Sequence, residues 1–185
     1  MPKSGKIITN PFNGNSYEFI DTAEETYGEY VLIKATIKSK GPLVPNHIHA
    51  LQNENFKILE GRMTIWLEGG INTLSAGEQT TLPKNHAHNH YNMEDTPLVY
   101  LHKISPALDF DYLMENLVGL AADGKTRNNF FGMIQNLVSL KYLDSVTYLA
   151  GVPIRLQKWL ADLVAPIARY YGYRAVYRKY SNLEK

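Results

Sequence analysis

The sequence predicts a mainly β domain over residues 1–104 followed by an α-helical extension over residues 105–185. Three observations carry this reading. Short runs rich in β-branched and aromatic residues recur up to residue 104, turn residues separate them, and beyond Ser105-Pro106 the apolar period changes from two to about 3.6. Evenly spaced short strands of this kind suit an antiparallel sandwich or a barrel.

The elements come in order. "SYEFIDT", "YVLIKATIK", "FKILE", "RMTIWLE", "EQTTLP" and "PLVYLHKI" read as strands. Asn13-Gly14, Glu60-Gly61, Gly69-Gly70 and Ala76-Gly77 supply turn chemistry between them. In the extension, Phe110, Leu113, Leu117 and Leu120 mark one helical stripe, and Phe130, Phe131, Ile134, Leu137 and Val138 a second. A third helix opens at Pro153, a good first-turn residue, and runs through Leu156, Trp159, Leu160, Leu163, Val164 and Ile167 to a glycine cap at Gly172. Pro166 is expected to kink it, because the ring removes a backbone donor and crowds the preceding turn.

Composition narrows the function classes. The chain has 185 residues and no cysteine, so disulfides, thiolate metal sites and cysteine nucleophiles are all excluded. "MPKSGKIITNPFNGNSYEF" has no apolar leader segment, and a cytoplasmic location is the expectation. No phosphate-binding loop, serine-hydrolase elbow, dinucleotide fingerprint or recognition helix is present, so nucleotide chemistry and nucleic-acid binding have no support. The net charge of +1 is uneven: residues 151–185 carry seven Lys/Arg against Asp162 and Glu184, leaving −4 for the remainder. That asymmetry points to a partner for the basic end.

The chemistry concentrates in "GPLVPNHIHALQNENFKILEG", residues 41–61. On a strand, side chains two apart share a face, so His47 and His49 converge, and Glu54 at the head of the next strand can meet them. Two imidazoles and a carboxylate suit Mn, Fe, Co, Ni, Cu or Zn. A fourth ligand is available from "PKNHAHNHYN", where His86, His88 and His90 alternate.

These residues resemble the cupin superfamily. Gly41, five residues, His47, one residue, His49, four residues, Glu54, six residues and Gly61 match its first motif at every fixed position. Gly77, five residues, Pro83, then His88 and Asn92 match the second, with Asn85 where the pattern has glycine. Asparagine tolerates the left-handed backbone better than most residues, so the turn is expected to survive. The resemblance covers roughly residues 15–104. It implies a double-stranded β-helix (jelly-roll) barrel with a divalent transition metal on His47, His49, Glu54 and His88, and the homodimers that such proteins commonly form.

Four protein ligands leave one or two positions for a small molecule, O₂ or water. A redox metal there suits dioxygenase chemistry and a redox-inactive one suits isomerisation, with Glu54 able to leave the ion and act as a base. His90 shares the inward face with His88 and is the candidate to touch substrate or shuttle protons, against the plainer reading of a polar residue at the barrel mouth. His86 sits nearer the turn and is the weaker ligand; His102 reads as an ordinary strand histidine. Phe56, Ile58, Met63 and Ile65, with Asn92, are the expected pocket walls, Trp66 marking the alternate face. The different-class alternative is a non-catalytic protein that binds or senses a small molecule. In it the extension contacts a partner, or a membrane surface through "LQKWLADLVAPIARYYGYRAVYRKY", which mixes Trp159, Tyr170, Tyr171, Tyr173, Tyr177 and Tyr180 with Arg and Lys. Packing of the helical stripes on the barrel or across a dimer interface is the plainer expectation.

Overall fold

The computed structural model describes residues 2–125 and 129–181. Glu184 and Lys185, counted in the basic end of the chain, lie outside them. The described residues form two antiparallel sheets and three helices. In chain order the strands are β1 (Ile7–Thr9), β2 (Ser16–Asp21), β3 (Val31–Ile37), β4 (His47–His49), β5 (Asn53–Glu60), β6 (Arg62–Leu67), β7 (Gly70–Ser75), β8 (Gln79–Leu82), β9 (His88–Asn92), β10 (Leu98–Ser105) and β11 (Thr147–Leu149). The helices are α1 (Phe110–Ala122), α2 (Asn129–Tyr142) and α3 (Ile154–Tyr170). One sheet has the order β1-β2-β3-β10-β5-β8 and the other β11-β4-β9-β6-β7, a jelly-roll arrangement.

Alternation builds the interior. β3 reads buried on every second residue, and β5 turns Glu54, Phe56 and Ile58 inward while Lys57 and Leu59 face out. On β6 the buried set is Met63 and Ile65, which places Trp66 on the other face. The β5–β6 hairpin turns at Gly61, whose φ is 78° and where an added Cβ would sit 2.6 Å from the Pro97 carbonyl oxygen. Only glycine fits there. Asn85 takes a φ of 67°, and its N–H donates to the His49 carbonyl, so the left-handed turn is present with asparagine in it.

The extension is bound to the barrel at several points. β11 was not legible as a strand, yet it adds an edge to β4 with Thr147 opposite His49 and Leu149 opposite His47. Buried Gln52 donates to the carbonyls of Pro106 and Ala107, and Ser145 reaches the Ala107 carbonyl and the Asp109 N–H. Lys6 pairs with Glu115 of α1. One hydrophobic cluster then joins Phe19, Val31, Ile33 and Ile104 of the strands to Phe110, Leu113, Val138, Ala161, Ala165 and Val176 of the extension.

The helical stripes differ from expectation in instructive ways. Leu117 and Phe130 are exposed, while Asn116 and Gln135 are buried in their place. The reason is the irregular segment after α3. Its backbone groups need partners: Asn116 donates to the Ala175 carbonyl and accepts from the Tyr177 N–H, and Gln135 donates to the Arg174 carbonyl. Pro153 caps α3 from outside, so the helix starts one residue later than expected, and it runs on through Pro166 to Tyr170. Gly172, at φ 89°, comes after it as the expected cap.

Candidate metal centre

The centre is assembled from both sheets. β4 has its polar residues inside, with His47 and His49 buried and Ile48 between them only half-buried. Register sets His47 opposite His88 on β9. Glu54 comes from the facing sheet rather than from a neighbouring strand of the same one. The ligand atoms of His47, His49, Glu54 and His88 all lie within 4.8 Å of one another, and all four residues are buried.

Each of two imidazoles is aimed by its other nitrogen. His47 Nδ1 lies 2.9 Å from the Pro45 carbonyl oxygen and His88 Nδ1 2.9 Å from that of His86. A carbonyl only accepts, so both Nδ1 atoms carry a proton and both rings turn Nε2 toward the centre, as metal-binding histidines do.

The carboxylate is the focus of the charge. Glu54 oxygens stand 2.6 Å from His88 Nε2, 2.9 Å from His102 Nε2 and 3.6 Å from His49 Nε2. Burial works against the Glu54 charge, but His49 and the close contacts of His102 and His88 outweigh it and hold the carboxyl well below the usual range. Burial pushes His49 down to about 4 and lowers His47, leaving both imidazoles neutral at neutral pH. Burial also pulls on His88, but its contact with Glu54 more than compensates and raises it.

These residues fit a cation. His49 Nδ1, Glu54 Oε2, His88 Nε2 and His102 Nε2 are buried without a hydrogen bond of acceptable geometry. Buried polar atoms in that condition are costly unless something satisfies them, and neutral imidazoles with one carboxylate are a divalent transition metal's donor set.

The remaining expected residues have separate placements. His90 is half-buried, its ring 4.5 Å from that of Phe56, with Nε2 3.3 Å from the Tyr100 hydroxyl; burial pushes it down to about 3. His86 is outside the cluster, its Nδ1 against the Lys84 carbonyl. Phe56, Ile58, Met63 and Ile65 belong to a buried cluster with Ala35, Ile37, Leu82, Leu98 and Tyr100. Asn92 holds a turn, donating to the carbonyls of Ile37 and Thr96 and accepting from the Glu94 N–H. A surface cleft of about 270 Å³ between α2 and α3, lined by Lys141, Tyr148, Lys158 and Asp162, shares no residue with the ligand cluster.

His102 is the residue that sequence reasoning missed. β10 pairs it with Phe56, diagonal to Glu54, and its ring stacks on Phe56 at 4.6 Å. The signal was present as even spacing: Leu98, Tyr100, His102 and Ile104 alternate inward on β10. What was missing was the pairing of β10 with β5.

Residues 34–103 match the family model described as a cupin domain. Quercetin 2,3-dioxygenase from Bacillus subtilis (strain 168) is 27% identical over 74 residues, covering 40% of this chain and 22% of that protein, so the chain spans about a fifth of its length. Similar solved structures include KdgF from Halomonas sp. (16% identity, TM-score 0.46, 52% of this chain and 83% of that one). A predicted oxalate decarboxylase from Thermotoga maritima is another (17% identity, TM-score 0.48, 56% and 92%). With both motifs folded around one buried His/Glu cluster, the β-barrel of this chain is a cupin-superfamily domain.

Proposed function

We propose that the barrel binds one divalent transition metal ion on His47, His49, Glu54 and His88 and uses it to oxygenate a small organic molecule. The observation that carries the proposal is the convergence of three buried imidazoles and one buried carboxylate within 4.8 Å. The partial likeness to quercetin 2,3-dioxygenase favours oxygenation over redox-neutral chemistry. A redox-active ion held by these four residues would supply one-electron chemistry toward dioxygen and polarise an enol or catechol substrate.

The chain's own residues then have separate tasks. His47 and His49, kept neutral by burial, donate lone pairs without competing for protons. Glu54 is held ionised, with His102 Nε2 2.9 Å from one of its oxygens and His88 Nε2 2.6 Å from the other, and it is the group here that would accept a substrate proton. His90, a neutral imidazole beside the Tyr100 hydroxyl, orients a polar substrate atom. Phe56, Ile58, Met63 and Ile65 keep the interior apolar, which strengthens electrostatics at the site.

The test is oxygen uptake by protein reconstituted separately with Mn, Fe, Co, Ni, Cu or Zn, over a panel of flavonols, enols and keto-acids. Metal-dependent uptake that is lost in Glu54→Gln supports the proposal. Metal binding with substrate turnover but no oxygen uptake replaces it with isomerase-type chemistry, and binding without turnover replaces it with a sensor.

A further inference from the structure

α3 turns its large apolar residues away from the protein. Its inner face is made of Ala161, Ala165, Ala168 and Gln157, with Gln157 tied to the backbone of Leu149 and Val152. On the outer face Leu156 is 45% exposed, Trp159 59%, Leu163 55% and Ile167 59%, with Tyr170 continuing the row. A helix that served only to pack on the barrel would show the reverse polarity. α2 packs against α3, with Phe131 stacked on Tyr173 and Tyr142 under Arg169, and it exposes Phe130 and Met133.

We infer that this face docks on an anionic lipid bilayer, with α3 lying in the plane of the headgroups. At 100° per residue, every charged residue of α3 falls on one flank, between the buried and apolar faces: Arg155, Lys158 and Arg169 against Asp162. Asp162 is paired with Lys141 of α2, which leaves the flank basic. A basic edge beside an apolar row with tryptophan and tyrosine suits headgroup contact and shallow insertion. No helix among the described residues is long and apolar enough to cross a membrane.

A second copy is the poorer occupant on charge grounds. In an antiparallel two-fold pair the basic flank meets its own copy. In a parallel pair it meets Leu160, Val164 and Tyr171, with no counter-charge. Tyr177 and Tyr180 take no part: they pack on the extension, Tyr177 against Gln135 and Tyr180 beside Gly119 with its hydroxyl on Asp123.

Flotation of the full chain with vesicles tests the inference, using phosphatidylcholine alone and phosphatidylcholine mixed with phosphatidylglycerol. The protein is expected to float with the anionic vesicles and to dissociate as salt is raised. Leu163→Asp should lower the partition coefficient roughly tenfold or more, and Lys158→Glu by several-fold. Both sites are exposed, so metal uptake and melting temperature are expected to stay unchanged. Absence of flotation with anionic vesicles overturns the inference. So does flotation that Leu163→Asp leaves intact, or a vesicle-indifferent dimer that Leu163→Asp dissociates.

Discussion

The two hydrophobic clusters of this molecule are built on different plans. One is made from residues 35–100 alone, strand against strand, and includes Phe56, Ile58, Met63 and Ile65. The other takes Phe19, Val31, Ile33 and Ile104 from the strands and completes itself with residues from all three helices and the segment after α3. The barrel is therefore closed over its own interior on one side and over borrowed side chains on the other. The metal-ligand strand β4 stands at the seam, with β9 along one edge and β11 along the other. The extension shares one hydrophobic cluster with the barrel, and it pairs with the strand that carries two candidate ligands.

Removing the extension should produce the largest effect. A chain ending at Ser105 exposes Phe19, Val31, Ile33 and Ile104 and unpairs one edge of β4, and it is expected to be insoluble or unfolded by circular dichroism. A soluble truncated barrel with a cooperative melt would break the comparison. Next, Phe19→Ala and Phe56→Ala each remove a fully buried ring and should cost about 3–5 kcal/mol in denaturant titrations. The two rings have different neighbours: Phe56 stacks on His102 and lies against His90, so only Phe56→Ala should also weaken metal binding. Equal metal affinity in both variants would mean that the clusters do not differ in this way.

A smaller effect isolates His102. His102→Ala is expected to lower metal affinity about 10- to 100-fold, as loss of a residue that orients a ligand does. His102→Gln, which keeps a donor near Glu54, should recover part of it. No change in either variant, measured by competition with a chromophoric chelator, would return His102 to an ordinary strand residue.

The smallest effect is in pH. In the metal-free protein His88 is raised above its ordinary 6.5 by Glu54, against the pull of burial. A raised folded value means that the pair's stabilisation is complete below the unfolded pKa and is lost as pH rises through the folded one. Glu54, depressed against its own burial by His49, His102 and His88, contributes above the ordinary carboxylate range and loses that contribution as pH falls through its folded value. His47, His49 and His90, all lowered by burial, work the other way, and each loses its contribution as pH falls below the ordinary imidazole value. Three lowered histidines outweigh one raised one, so metal-free protein should be less stable in mild acid than at neutrality, and metal should steepen that loss, because protons compete with it for the imidazoles. Melting curves at mildly acid and neutral pH, with and without metal, check it; metal-free protein more stable in mild acid than at neutrality would contradict it.

How much of this was legible in the sequence depends on how local each feature is. Strand alternation needs no partner, so His47 and His49 were legible from it, with Glu54 at the head of the next strand; it left His86, His88 and His90 open, and the resemblance to the cupin motifs selected His88. Alternation gave Phe56 and Ile58 as one inward pair, but it left Met63 and Ile65 against the face of Trp66 for the structure to decide. Gly61 and Asn85 were legible through turn chemistry. His102 required the β10–β5 register, and β11 required knowledge that β4 has a free edge. The α3 stripe was visible as a period of 3.6, but its direction was not: periodicity finds an apolar face without saying whether protein or solvent lies beside it. Leu117 and Phe130 were misplaced because buried Asn116 and Gln135 serve backbone groups far along the chain.

The most direct measurement is metal content per chain, by mass spectrometry of protein purified without chelating resin and after incubation with each candidate ion. Close to one transition-metal ion per chain is expected, lost in His47→Ala and in His88→Ala and retained in the surface variant His86→Ala. Protein that takes up none of these ions, or that keeps its ion when His47 and His88 are both replaced, would contradict a metal centre at this site.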